Sequence, residues 1–212
     1  MKLTRDYARP ESGRKEVVSR ADAVVFMVAS AAAALLTTAT TVAGLIGYTS
    51  GPVTLMLPVA TANHAAPDLV PGVTGHFTAM EATLPTLPSG PGGLLAWADS
   101  LNQIGFLALL ALIFLLAHRL RSETLFTSGS VWIVGFCGAA LAVFGTVGQI
   151  LDSVARNRLA EYIGANARTP GEAYSFSADF NLAPLALGLV LVLVAGIFQF
   201  GRRLQQDTEG LV

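Results

Sequence analysis

The sequence predicts a mainly α-helical membrane protein, with four transmembrane helices and a small extracytoplasmic antiparallel β element drawn from the two outer loops. Three observations predict it. The 212-residue chain is 53% hydrophobic and only 13% charged, about half the charged fraction of an ordinary soluble domain, and its mean hydropathy is +0.59. Four long apolar runs recur along it. Between them lie segments in which apolar residues recur with period two, the spacing of a half-buried strand.

Residues 1–22 form a basic segment containing Lys2, Arg5, Arg9, Arg14, Lys15 and Arg20. Span one covers 23–48, where 26 residues from Ala23 to Tyr48 carry no charge; at 1.5 Å per residue this is about 39 Å, enough to cross a bilayer with tilt. A signal-peptide core runs to only about 7–15 residues, so the run reads as a retained span. Ala29, Ala33, Thr37 and Thr41 recur at every fourth position, a ridge of small side chains along which another helix can approach.

The outer loop 49–97 contains seven prolines and is too long for a simple helix connection. "VTLMLPV" is rich in β-formers, and "GVTGHFTAM" places Val73, Gly75, Phe77 and Ala79 on one side in period two. Span two covers 98–117. Its strictly apolar part, Ile104 to Ala117, is short of the ~20 residues a span requires, so the helix is expected to begin near Trp97. Asp99, Asn102 and Gln103 then fall in its outer turns at i, i+3 and i+4, on one face.

The connection 118–130 carries His118, Arg119 and Arg121. Span three covers 131–151, with Gly135, Gly138, Gly145 and Gly148 lowering its bulk for tight packing. In the outer loop 152–181, "YSFSADF" alternates cleanly, with Tyr174, Phe176, Ala178 and Phe180 opposite Ser175, Ser177 and Asp179. An isolated hairpin is marginal in water, so these strands are expected to meet as a sheet on the outer ends of the helices. Span four covers 182–200 and holds twelve Leu, Ile, Val or Phe residues. Asn181 is placed to cap it, and Pro184 lies in the first turn, where a missing N–H costs little. A tail, 201–212, follows.

Orientation follows from Lys and Arg. The first segment, the 118–130 connection and the tail all carry them, whereas residues 49–100 carry none. The positive-inside rule therefore places both termini in the cytoplasm. Arg156, Arg158 and Arg168 in the second outer loop weigh the other way, and the first loop outvotes them.

A net charge of −1 offers no basic surface for direct nucleic-acid binding. Cys137 is the single cysteine and can form no internal disulfide. His64, Asp68, His76 and Glu81 have metal-ligand chemistry, but their spacing is not diagnostic, so no metal or cofactor is expected; His64 and His76 are the weak candidates. Neither a glycine-rich phosphate loop nor a GxSxG motif occurs, and the expectation is a protein that is not an enzyme. The polar cluster expected at the outer ends of spans two and three is Asp99, Asn102 and Gln103 with Gln149, Asp152 and Arg156, either a candidate binding site or a set of interhelical hydrogen bonds. The tail offers a candidate docking handle for a partner in Arg202, Arg203, Leu204, Asp207, Glu209, Leu211 and Val212, ending in an apolar carboxyl terminus.

The segment "GIFQFGRRLQQDTEGLV", with Gly201, Leu204, Glu209, Leu211 and Val212, resembles the C-terminus of the bacterial membrane family called domain of unknown function 2975. "LRSETLF", ending in Phe126, resembles that family's short inner connection, and the four-span plan is similar. The family's connection usually continues into an Asn- and Arg-rich helix start, whereas here it reads "TSGSVWIVG". The resemblance implies a multi-pass protein of the bacterial cytoplasmic (plasma) membrane, associated with a small helix-turn-helix regulator. The leading expectation is therefore a non-enzymatic sensor or regulatory module. The alternatives are a small transporter or channel, assembled as a homo-oligomer, and a structural subunit of a membrane assembly.

Overall fold

A computed structural model describes residues 20–59, 70–75, 77–121, 128–165, 178 and 180–209. Among these the chain runs α1 (Arg20–Ser50), β1 (Val53–Pro58), β2 (Ala79–Leu84), α2 (Ser89–Arg121), α3 (Ser128–Tyr162) and α4 (Ala183–Glu209). Each of the four helices contains a stretch long and apolar enough to cross a membrane. Leu35 and Leu36 on α1 and Leu193 and Ile197 on α4 stand exposed. Apolar surface of this extent fits a lipid surround.

The helices line up in sequence: α1 packs on α2, α2 on α3, and α3 on α4. The contacts of α3 with α4 depend on glycine. A Cβ at Gly188 would lie 2.5 Å from Gly138 O and 2.6 Å from Ala142 Cβ. At Gly145 it would lie 2.7 Å from Pro184 Cβ. Small residues thus let two backbones approach closely, which is how helices gain packing energy where lipid removes the hydrophobic drive. Around this seam Leu112, Val134, Cys137 and Ala195 form one buried cluster.

Two helices are longer than hydropathy indicates. The 33 residues of α2 and 35 of α3 measure about 50 Å each, against roughly 30 Å of hydrocarbon. Instead of starting near Trp97, α2 starts at Ser89, because Leu95 and Ala98 of its early turns are fully buried. Instead of stopping near Leu151, α3 continues to Tyr162, because Ala155, Leu159 and Ala160 are fully buried. It ends in a glycine cap. Gly164 has φ of 77°, and Ala165 N–H donates to Ala160 O at 2.9 Å, the long bond of a Schellman motif.

The surplus length of these helices carries a β-hairpin. β1 and β2 pair antiparallel, with Val53 opposite Leu84, Leu55 opposite Ala82 and Leu57 opposite Met80. Leu55, Leu57 and Leu84 point into a second buried cluster with Leu95, Ala155, Leu159 and Ala165. On the opposite face the Thr54 and Thr83 hydroxyls pair at 3.0 Å. This register corrects the expectation for "GVTGHFTAM": residues 73–75 and 77 form no strand, and β2 begins at Ala79. Pro71 and Gly72 make a turn closed by Val73 N–H donating to Val70 O, with Gly72 at φ 89°. Both described strands come from the first loop. The strand expected in "YSFSADF" lies mostly outside the described residues, and Ala178 and Phe180 are not in a strand.

The first turn of α4 is built as its sequence indicates. Asn181 Oδ1 accepts from Ala183 N–H at 2.9 Å, satisfying one of the free donors of a helix start. The helix then continues without a break through Arg202 and Arg203 to Glu209.

Candidate functional site

Polar side chains gather at the hairpin end of the bundle. Tyr48, in the last turn of α1, donates from its hydroxyl to Asp99 Oδ2 of α2 at 2.6 Å, a short bond to a charged acceptor. Arg156 Nε of α3 donates to Asp152 Oδ2 at 2.7 Å, one turn back on the same helix. Its Nη1 reaches Met56 O on β1 at 2.9 Å, so one guanidinium joins α3 to the hairpin. The Arg156 and Asp152 side chains are 32% and 29% exposed. The pair itself is therefore worth only a few tenths of a kcal/mol, and the bond to the strand is its structural use. Asp99, Asp152 and Arg156 all lie within electrostatic reach of the Tyr48 hydroxyl.

The remaining members of the expected cluster face elsewhere. Gln103 turns to α1, where its Nε2 donates to Thr37 Oγ1 and Thr38 Oγ1 at 3.1 Å and its Oε1 accepts from Thr41 at 3.2 Å. Asn102 turns to α3: a Cβ at Gly148 would lie 2.8 Å from Asn102 Cγ. Gln149 accepts from Asn181 N–H at 2.7 Å, holding the entry to α4. A helix turns about 100° per residue, so neighbours such as Asn102 and Gln103 address different partners. The α1 ridge is realised in part: Thr37 and Thr41 meet Gln103, Ala33 is half-buried and Ala29 is exposed.

Tyr48 and the Met56 carbonyl were not among the residues singled out from sequence. The usable signal for Tyr48 was a hydroxyl-bearing aromatic closing an uncharged run, a position where the ring meets apolar surface and its tip seeks a polar partner. His64, Asp68 and His76 lie outside the described residues, and Glu81 sits in β2. No group of three or more metal-ligating side chains occurs among the described residues.

Beside Tyr48 a cleft of about 690 Å³ opens between the end of α1 and the start of α2. Its apolar wall includes Leu45, Leu87, Ala96 and Trp97, and Trp97 is 67% exposed. At the opposite end of the bundle, Arg119 Nη1 of α2 donates to Ser130 Oγ of α3. In the tail, α4 carries Arg202, Arg203, Leu204, Asp207 and Glu209 on continuous helix, while Leu211 and Val212 lie outside the described residues. In comparisons with protein-family models, curated proteins and solved structures, nothing matches this chain.

Proposed function

We propose that this is a multi-pass membrane protein acting as a non-enzymatic sensor or regulatory module. The hairpin end faces outward and receives a signal, and the basic N-terminal segment, the 118–130 connection and the α4 tail face the cytoplasm and engage a regulator of helix-turn-helix type. The observation that carries this reading is the hairpin end itself. Crossing a bilayer takes about 20 residues per helix, yet α2 and α3 run to 33 and 35. Their surplus builds a separately packed cap with its own buried cluster.

The apolar runs support a sensor over a conducting path. No Asp, Glu, Lys, Arg or His lies in residues 23–48, 104–117, 131–151 or 182–200, whereas permeation sites keep ionisable groups within the membrane. The sidedness rests on the distribution of Lys and Arg, and the regulator on the resemblance of the last span and tail to domain of unknown function 2975. The test is crosslinking in native membranes followed by mass spectrometry, on the full chain and on a chain truncated after Arg203. Recovery of a DNA-binding protein only with the intact tail is the expected result; the same partners with either chain would remove the tail from the reading.

A further inference from the structure

We draw no further inference here: the strongest candidate, the apolar groove between α3 and α4 lined by Trp132, Phe136, Val192 and Gly196, is an outward-facing helix surface, and nothing in the structure shows what covers it.

Discussion

The seam between α1 and α2 is fastened by side-chain hydrogen bonds, whereas the seam between α3 and α4 is fastened by backbone approach. Gln103 spans three threonines of α1, and Tyr48 closes the same seam on Asp99. Across the other seam Gly138 and Gly188 bring helices together with no room for a methyl group. The two differ in how they tolerate change. Polar bonds can be remade with other partners, and threonine hydroxyls have their own helix carbonyls as a fallback, as Thr38 already bonds Ala34 O at 2.7 Å. A backbone contact has no such alternative.

The largest test of that contrast is Gly188→Leu, which forces side-chain atoms into Gly138 O and Ala142. Overpacking of this kind costs about 1–3 kcal/mol, and the expected outcome is a clear fall in unfolding midpoint in detergent. Gly44→Leu on α1, where a Cβ meets nothing, should leave the midpoint unchanged; equal effects at both positions would dissolve the distinction. Next comes Tyr48→Phe. It strips Asp99 of its hydroxyl donor, and bonds to charged groups contribute about 1.5–3 kcal/mol, so crosslinking between cysteines placed at the hairpin ends of α1 and α2 should become less efficient. Gln103→Leu should cost less, near the ~0.6 kcal/mol typical of interhelical hydrogen bonds in membranes, measured as a shift of the unfolding midpoint in detergent. The smallest effect is expected at Thr146, whose buried hydroxyl has no partner among the described residues. Thr146→Val removes an unsatisfied group and should be neutral or slightly stabilising.

Hydropathy located all four long apolar helices, because the apolar runs are continuous in sequence. It marks where a continuous apolar run stops rather than where a helix stops. Asp152 and Arg156 interrupt the apolar run of α3, but Ala155, Leu159 and Ala160 continue a buried face beneath the hairpin, visible only once the hairpin is in place. Similarly, Gly90, Pro91, Gly92 and Gly93 read as loop, yet they form the first turns of α2, since packing of Leu95 overrides weak local propensity. β1 was legible from its own residues. The start of β2 was not, because period two fixes a face only when the partner strand supplies a register.

For the candidate site, the sequence supplied Asp99, Asp152 and Arg156 but not their common neighbour. Tyr48 is 51 residues from Asp99, and no local pattern joins them. The grouping of Asp99, Asn102 and Gln103 on one face was true of the helix and misleading for its partners, since that face borders both α1 and α3.

Because α3 is one unbroken helix, a single ladder of backbone hydrogen bonds joins its two ends. Near one end Arg119 holds it at Ser130, and near the other its own Arg156 holds the hairpin at Met56 O. At a side-chain radius of about 5–6 Å, a rotation of roughly 20° carries a surface atom about 2 Å, more than the distance tolerance of a hydrogen bond. The two fastenings thus bear on the rotation of one and the same helix about its axis, one near each end of the bundle.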